Sequence, residues 1–464
     1  MMARRQRNVS LVLGAVAAIG LAILAPVAVA APGDVHTSQS RDIAAGPASS
    51  DPERLTVVGS TLFFTADHPT YGRELWKTTA GGVTSLVRNI AAGAAASDPL
   101  ELTAVGSTLF FTAMDSAGDR ELWKSDGTGA GTVRVRNIRT VAPPNGSSAP
   151  GELTEVNGTL FFAASDNAGD RELWKSNGVG SGTVRVRNIY PTGSANVREL
   201  TSFAGALFFV ATQQDGSRIW RSDGLAAGTV RVSSVSMIPQ ALTVVGSKLF
   251  FTGETGTYNR EPWVSDGSSA GTKMLRNLDP EPGVPSNPSQ LTDVGGTLFF
   301  SADVGGDREL YKSDGTAAGT RIVRNVNLTQ DTLPLGLTAY NGKLYFSGRN
   351  NFDAELYVSD GTFAGTKLVK DIYNQGASSP TGLTVAGGFL FFRALTFFDP
   401  TFPGTVYDQL IRSDGTTAGT IPVGAMGVAD DEVPAGFVDF QGTLYYRDSS
   451  AGFGVELWQA TIEN

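Results

Sequence analysis

The chain has 464 residues, no cysteine, two histidines and a formal net charge of −9. This acidic balance disfavours nucleic-acid binding, because phosphate contacts need clustered lysine and arginine. The lack of cysteine excludes a disulfide framework. With only His36 and His68 available, far apart in sequence, histidine-based catalysis and a histidine-rich zinc site are also disfavoured.

The first thirty residues have the order of a secretory signal peptide. Three arginines among the first seven residues precede an uncharged apolar run from about Leu11 to Leu24, and small residues follow at 28–31. A membrane anchor is the alternative, but the unbroken run is short for a bilayer. We therefore expect residues 1–30 to be a signal peptide and 31–39 a short linker. Residues 40–464 would then form one secreted domain, with the periplasm or the cell surface as alternative locations.

A ten-residue segment occurs nine times behind this leader. The first copy runs from Leu55 to Phe64, and the start-to-start spacings range from 42 to 54 residues. A fixed period of this size is typical of propellers and solenoids. The later copies begin at Leu102, Leu153, Leu200, Leu242, Leu291, Leu337, Leu383 and Phe437.

Each repeat contains four short segments with the pattern of strands. They are typified by L-T-x-V, T-L-F-F-x-A, R-E-L-W-K and T-V-R-V-R-N-I, and glycine, asparagine, aspartate and proline lie between them. Four strands in a period in the forties indicate the blade of a propeller. We predict an all-β propeller of about nine four-stranded blades, with an eight-bladed ring and one displaced repeat as the alternative.

The two ends of the repeat region complement each other. Residues 40–43 match the last strand of a repeat, whereas the ninth repeat stops after its E-L-W segment and lacks that strand. Pairing the N-terminal strand with the C-terminal blade would remove two open sheet edges. We expect this pairing to close the ring.

Large aromatic residues recur at one position of the third segment. A side chain that returns once per blade at the same strand position is predicted to pack in the core, where it buries roughly 150–250 Å². The predicted core residues are Trp76, Trp123, Trp174, Trp220, Trp263, Tyr311, Tyr357 and Trp458.

Two repeated polar features have both structural and functional interpretations. The glutamate before Leu-Trp, as in Glu74 and Glu121, could act in catalysis or bind cations, but a glycosidase needs one pair and not seven equivalent copies. We predict hydrogen bonding at the blade instead. The S-D-G-T turn that follows, as at 125–128, could bind calcium, but one aspartate per turn is few for a calcium loop. We predict an ordinary Asx turn.

The motif E-L-W-K-S-D-G-T, followed by A-G-T and V-R-N-I, resembles the bacterial ELWxxDGT-repeat proteins. The resemblance covers about Arg41 to Trp458, and repeats one, four, eight and nine depart most from the pattern. It implies an exported, propeller-like repeat protein. It implies no catalytic residues.

Function in a repeat protein is expected where the repeat is broken. The strongest break lies in repeat eight, where a longer loop carries exposed aromatic residues and suggests a recognition site. An acidic group in the next loop is a weaker candidate for a metal site. The predicted ligand-binding residues are Phe397, Phe398, Asp399, Phe402 and Tyr407, and the acidic candidates are Asp430, Asp431 and Glu432.

These features lead us to expect an exported, non-enzymatic binding or scaffold protein that recognises an extracellular polysaccharide or protein. The alternative is a secreted carbohydrate-active hydrolase or lyase with acidic residues at the central channel. We predict no cofactor, with calcium as the alternative. We also predict a monomer that binds no nucleic acid and does not insert into a membrane after signal cleavage.

Overall fold

The computed structural model describes residues 35–141, 146–256, 259–325, 331–351, 353–397, 406–423, 435–450 and 453–462. In these ranges the regular secondary structure consists of strands, apart from one 3-10 turn at Gly180–Gly182. The strands make nine four-stranded antiparallel sheets. The predicted all-β propeller is therefore confirmed, with nine blades and not eight. Among the described residues, no helix is long and apolar enough to cross a membrane.

The first strand of each blade lies at the centre of the ring. Successive first strands contact one another, and the contacts include the last blade against the first, so these strands surround a central channel. In chain order they are β2 (Glu53–Val58), β6 (Leu100–Val105), β10 (Gly151–Val156), β14 (Arg198–Phe203), β18 (Gln240–Val245), β22 (Ser289–Val294), β26 (Leu335–Tyr340), β30 (Thr381–Ala386) and β34 (Ala435–Phe440).

The second and third strands form the middle of each blade. The second strands are β3 (Thr61–His68), β7 (Thr108–Met114), β11 (Thr159–Ser165), β15 (Ala206–Gln213), β19 (Lys248–Gly253), β23 (Thr297–Val304), β27 (Lys343–Asn350), β31 (Phe389–Phe397) and β35 (Thr443–Ser450). The third strands are β4 (Gly72–Thr79), β8 (Arg120–Ser125), β12 (Arg171–Ser176), β16 (Gly216–Ser222), β20 (Glu261–Ser265), β24 (Asp307–Ser313), β28 (Asp353–Ser359), β32 (Val406–Ser413) and β36 (Phe453–Ile462).

The fourth strands are the outer edges of the blades. Eight of them follow their third strand in sequence, and the ninth blade takes its fourth strand from the N-terminal part of the chain. They are β5 (Thr84–Arg88), β9 (Val133–Arg136), β13 (Val184–Arg187), β17 (Val230–Arg231), β21 (Lys273–Met274), β25 (Arg321–Arg324), β29 (Lys367–Lys370), β33 (Ile421–Pro422) and β1 (Val35–Arg41).

The paired aromatic residues of the second strands explain why the blades stack. Because neighbouring side chains point to opposite faces of a strand, Phe161 and Phe162 pack in different clusters, one on each side of their sheet. The third-strand aromatics pack in these clusters too. Trp174 is 7% exposed, and Trp220 stacks on Phe209 with ring centroids 6.4 Å apart. The core therefore consists of one apolar layer between each pair of blades.

The ring is closed by the pairing of β1 with β36, as predicted. The strand begins at Val35, five residues before the segment that the repeat pattern indicates, and it runs antiparallel to β36 up to Arg41. Beyond it, the Glu456 carboxylate accepts the N–H groups of Ile43 at 3.0 Å and Ala44 at 3.2 Å. The two ends of the repeat region thus complete one blade together.

The S-D-G-T turn satisfies its own polar groups. In the second blade, Asp126 Oδ1 accepts hydrogen bonds from the Thr128 N–H (2.8 Å) and hydroxyl (2.7 Å). A Cβ on Gly131 would lie 2.1 Å from Asp126 Oδ1, so the A-G-T glycine is required where the aspartate side chain folds back. The Thr128 hydroxyl raises the acidity of this carboxyl group and lowers its pKa. The geometry is that of an Asx turn.

Candidate functional site at the mouth of the channel

The first strands share an irregularity at their second residue. In all nine blades the register with the second strand shifts after the first residue, and the second residue has positive φ. The value is 58° at Glu101, 61° at Glu152 and 56° at Glu199, a left-handed conformation that is uncommon for residues other than glycine. Such a β-bulge changes the direction of a side chain.

The bulge brings three glutamates into contact with the following blade. Glu101 Oε2 accepts the N–H of Leu153 at 3.3 Å, and Glu152 Oε2 accepts that of Leu200 at 3.4 Å. Glu199 Oε2 accepts the N–H of Leu242 at 3.3 Å. We call Glu101, Glu152 and Glu199 the acidic arc. It lies where the first strands of blades 2, 3 and 4 begin, which we call the mouth of the channel.

Threonine hydroxyls add a second set of contacts between the first strands. The Thr103 hydroxyl donates to the Leu153 carbonyl at 3.4 Å, and the Thr154 hydroxyl to the Leu200 carbonyl at 3.2 Å. The same leucine thus has its N–H bound by a glutamate and its C=O bound by a threonine of the preceding blade. Because both bonds join adjacent strands, the carboxylates of the acidic arc are held in place.

A guanidinium group lies beside the acidic arc. Arg171 begins β12 and donates to the Ala149 carbonyl at 2.7 Å. Burial lowers the pKa of Arg171, and the charges of Glu152 and Glu101 act in the opposite direction. The mouth therefore offers carboxylate and guanidinium groups side by side.

The mouth is asymmetric around the ring. In blades 7, 8 and 9 the bulge position holds Gly336, Gly382 and Gly436 in place of a glutamate. A Cβ on Gly382 would lie 2.7 Å from the ring of Phe437, so an aromatic side chain of the next blade covers this glycine. Glutamate at the bulge of blades 2–4 and glycine at the bulge of blades 7–9 give the channel unequal sides.

A cluster of arginines lies between the last blade and the first. Glu53 Oε2 is 3.1 Å from Arg54 Nη1 and 3.0 Å from Arg73 Nη2. Glu53 Oε1 is 3.7 Å from Arg447 Nη1. We call Arg54, Arg73 and Arg447 the cationic sector. Within the described residues, Glu53 and Asp67 are the acidic partners of these three guanidinium groups, so this set of charges is positive by one.

The repeated third-strand glutamates are buried and hold loops. The Glu121 carboxylate accepts the N–H groups of Ile138 (3.2 Å) and Ser148 (3.2 Å) and the Ser148 hydroxyl (2.6 Å). Burial raises the pKa of Glu121, and the hydrogen bonds to Ser148 and Ile138 oppose this shift. Each such glutamate thereby fastens the connection from its blade to the next. With no access to the channel, it is suited to a structural role.

One acidic cluster has the spacing of a cation site. Ligand oxygens of Asp353, Glu355 and Asp371 lie within 4.8 Å of one another in blade 7. Burial raises the pKa of Asp353, and the nearby Asp371 carboxylate raises it further. Glu355 already accepts the Ser378 hydroxyl at 2.6 Å. These three residues could bind a divalent cation, but the cluster lies apart from the acidic arc.

Two of the residues predicted to bind a ligand lie in described strands of blade 8. Phe397 ends β31 and Tyr407 lies in β32, where Phe397 pairs with Val406. The three remaining loop candidates, Phe398, Asp399 and Phe402, lie outside the described residues, as do the acidic candidates Asp430, Asp431 and Glu432. The predicted recognition loop therefore stays a prediction.

The two histidines lie in β3 and β1, outside the first strands. His68 ends β3 and stacks on Tyr71 and Trp76, with ring centroids 4.5 and 5.9 Å apart. Burial and then the charge of Arg41 lower its pKa. His36 lies in β1 at the outer edge of the ring. Neither histidine belongs to the acidic arc or to the cationic sector.

Sequence analysis did not identify the acidic arc. Its signal is present, because the three residues E-L-T recur at 101–103, 152–154 and 199–201. The glutamate stands one residue before the repeat boundary that the leucine pattern indicates, and it is replaced in the other blades. A repeat position that holds glutamate in only three consecutive copies would have been the informative pattern.

No protein-family model and no curated protein matches the chain. Among solved structures, a puromycin hydrolase mutant, S511A, in complex with PGG is 15% identical, with a TM-score of 0.42 over 90% of this chain and 61% of that chain. A prolyl endopeptidase is 15% identical, with a TM-score of 0.40 over 82% and 53% of the two chains. The tricorn protease is 11% identical, with a TM-score of 0.27 over 86% and 47%. The chain thus spans about half to three fifths of these proteins' length.

These findings correct the functional expectation drawn from the sequence. Solved structures similar to this chain include a puromycin hydrolase, a prolyl endopeptidase and the tricorn protease, and the expectation of a non-enzymatic binding or scaffold protein is wrong. The regular repeats favoured that expectation, because they lack a catalytic motif. At identities of 11–15% the similarity concerns the propeller fold alone. The chemistry has to be argued from this chain's own residues.

Proposed function

We propose that this propeller is the substrate-binding part of a peptide hydrolase and that peptides bind at the mouth of its channel. The acidic arc is the observation that supports this proposal. Three bulged glutamates point across to the next blade, and each uses one carboxylate oxygen for a backbone N–H. The other oxygen of each makes no hydrogen bond within the described ranges, so it can accept one from the ammonium group of a peptide N-terminus.

The ring by itself is assigned no bond-breaking step in this proposal. A peptide hydrolase needs a nucleophile or an activated water together with acid–base groups. Within the described residues, His68 packs on Tyr71 and Trp76, and its Nδ1 accepts the Thr70 N–H at 3.0 Å. We therefore assign the peptide-cleaving groups to another polypeptide segment or partner, and peptide selection to the channel of the ring.

The proposal is tested by calorimetric titration of the purified chain with one hexapeptide in two forms, with a free and with an acetylated N-terminus. The variant E101Q/E152Q/E199Q removes the charge of the acidic arc. It keeps the backbone acceptor, because Gln290 makes the same bond to Leu337 at 3.3 Å in blade 6. We expect this variant to bind the free peptide about tenfold more weakly, because a charge-assisted hydrogen bond is lost.

The matched control is E155Q. Glu155 lies in β10, the strand that carries Glu152, and its Oε1 accepts the Gly158 N–H in the adjacent turn. This control should bind both peptides like the unaltered chain, and the acetylated peptide should not distinguish any of the variants. Failure of the unaltered chain to bind either peptide would refute the proposal. So would equal binding of the free peptide by the unaltered chain and the triple variant.

We also propose that the chain is exported. The basic, apolar and small-residue segments of residues 1–30 support this proposal. N-terminal sequencing of the protein secreted by an expressing bacterium should give a mature start after Ala30 or Ala31. Membership of the ELWxxDGT-repeat proteins and the monomeric state remain predictions.

A further inference from the structure

The cationic sector contains more positive charge than its structural role requires. Arg73 is fully engaged, because it donates to Asp67 Oδ2 at 2.6 Å and to the Asp51 carbonyl at 2.9 Å besides its contact with Glu53. Its side chain is only 15% exposed. The single negative charge of Glu53 can balance one further guanidinium group. Two more, those of Arg54 and Arg447, lie beside it.

These two further groups are the accessible ones. The Arg54 side chain is 38% exposed and the Arg447 side chain 30% exposed. Within the described residues, the acidic partner of each is Glu53, at 3.1 Å and 3.7 Å. A guanidinium group has five N–H donors in a planar fork that matches a carboxylate. Both arginines thus have donors left for a ligand.

Arg447 is a departure from the repeat. Its place in the second strand is occupied by Thr65 in the first blade and Thr112 in the second, and by arginine in blades 8 and 9. In blade 8 this arginine, Arg393, has its own partner, Asp408, on the third strand. Within the described residues, the acidic partner of Arg447 is Glu53, which belongs to blade 1. The carboxylate that balances the charge of Arg447 therefore comes from a neighbouring blade.

The backbone beside the sector also differs from that of the acidic arc. In blades 2–4 a bulged glutamate accepts the leucine N–H of the next blade, whereas blade 9 carries Gly436 at this position. Gly436 therefore supplies no carboxylate to the Leu55 N–H, and a Cβ on Gly436 would lie 4.0 Å from Leu55 Cδ1. An N–H donor and two guanidinium groups thus lie together at one side of the mouth.

We propose that this side of the mouth, between blades 9 and 1, binds the C-terminal carboxylate of a peptide through Arg54 and Arg447. The inference rests on the proposed function, because it names the second charged end of the same ligand. A carboxylate between two guanidinium groups forms charge-assisted bonds and neutralises the excess charge of the sector. Peptides with both ends free would then be bound at both charged sides of the mouth.

The test uses the hexapeptide in two further forms, with a carboxylate and with an amide at its C-terminus. We expect the unaltered chain to bind the carboxylate form about tenfold more tightly, and we expect R54Q/R447Q to bind both forms equally. Preference for the free N-terminus should persist in this variant. R447K keeps the charge without the planar fork and should keep part of the preference. R321Q, an exposed arginine on the outer strand of blade 6, is the control.

A second variant tests the same site without removing an arginine. G436E places a glutamate at the bulge, as in blades 2–4, where it would accept the Leu55 N–H and repel a carboxylate. We expect the preference for the carboxylate form to disappear. Defects in the fold of G436E are detected by thermal unfolding. A241E, which adds the same charge at the bulge of blade 5, serves as the control.

The outcomes separate this inference from the proposed function. If peptides bind through the acidic arc and the amide form binds as tightly as the carboxylate form, the inference is overturned and the proposed function stands. If no form of the peptide binds, both are overturned. A carboxylate preference that survives in R54Q/R447Q would also overturn the inference, because it would place the carboxylate elsewhere.

Discussion

Asp448 places a carboxyl group at a repeat position that holds alanine or glycine in the other blades. It lies in β35 opposite Glu456, is 6% exposed and accepts the Ser449 N–H at 2.8 Å. Burial raises its pKa to about 6, and the Ser449 bond opposes the shift. The corresponding residues are Ala66, Ala113, Ala164, Ala211, Gly253, Ala302, Gly348 and Ala394.

The D448N substitution is predicted to stabilise the protein at pH 8. A carboxyl group whose pKa is raised from 3.8 to about 6 favours the folded state below about pH 4, and this contribution is lost as the pH rises through 6. Removing the buried charge should raise the free energy of unfolding at pH 8 by at most roughly 3 kcal/mol, since one pKa unit corresponds to about 1.4 kcal/mol. Thermal unfolding between pH 4 and 8 measures the effect.

D439N is the matched control, because Asp439 is an exposed aspartate of the same blade. It should change the unfolding temperature little at any pH. An equal gain for D448N at pH 4 and pH 8 would contradict the electrostatic explanation.

A single cation on or just after the fourth strand links each of seven blades to the next. Arg187 Nη1 donates to the Thr229 carbonyl at 2.6 Å, and Lys370 Nζ donates to the Thr420 carbonyl at 2.6 Å. Where blade 4 carries Ser233 in place of the cation, Thr272 of blade 5 is more exposed than its buried counterparts. The other pairs join Arg41 to Thr84, Arg88 to Thr132, Arg136 to Thr183, Arg276 to Thr320 and Arg324 to Thr366.

Loss of one of these contacts should weaken the packing of two blades. We expect R136M to lower the free energy of unfolding by roughly 1 kcal/mol or more, because the Thr183 carbonyl loses its charged donor. R136K should retain most of the stability, since Lys370 makes the same contact naturally in blade 7. Chemical denaturation of the three proteins tests this, and equal losses for R136M and R136K would argue against the contact.

At the scale of the whole molecule, stability depends on closing the ring without a covalent bond. The chain has no cysteine, so the last blade is held by β1, by the hydrogen bonds of Glu456 and by the close approach of Gly454 to Ala48. A Cβ on Gly454 would lie 2.5 Å from the Ala48 backbone. These contacts join residues more than 400 positions apart in sequence.

A chain that begins at Pro52 is therefore predicted to lose cooperative unfolding, because it lacks β1 and the loop that Glu456 holds. An open edge on β36 would also favour association between chains. A chain that begins at Val35 keeps β1 and is the control. Calorimetry and light scattering distinguish the two, and a monomeric Pro52 chain with an unchanged transition would disprove the role of β1.

The repeat pattern by itself determined the architecture of this protein. Four strands per period, the aromatic pairs and the position of Trp174 are local features, because alternation along a strand and packing between sheets follow from neighbours in sequence. The complementary ends also predicted the closing strand. Nine similar blades leave few other arrangements once their apolar faces are covered.

The functional groups at the mouth were decided only by the tertiary structure. Glu101 meets Leu153, which is 52 residues away, and Glu53 meets Arg447 because the first and last blades adjoin. A sequence shows which residues break the repeat, and Arg447 does so visibly. It does not show which blade each one faces, because that depends on the bulge at the first strand and on the closure of the ring.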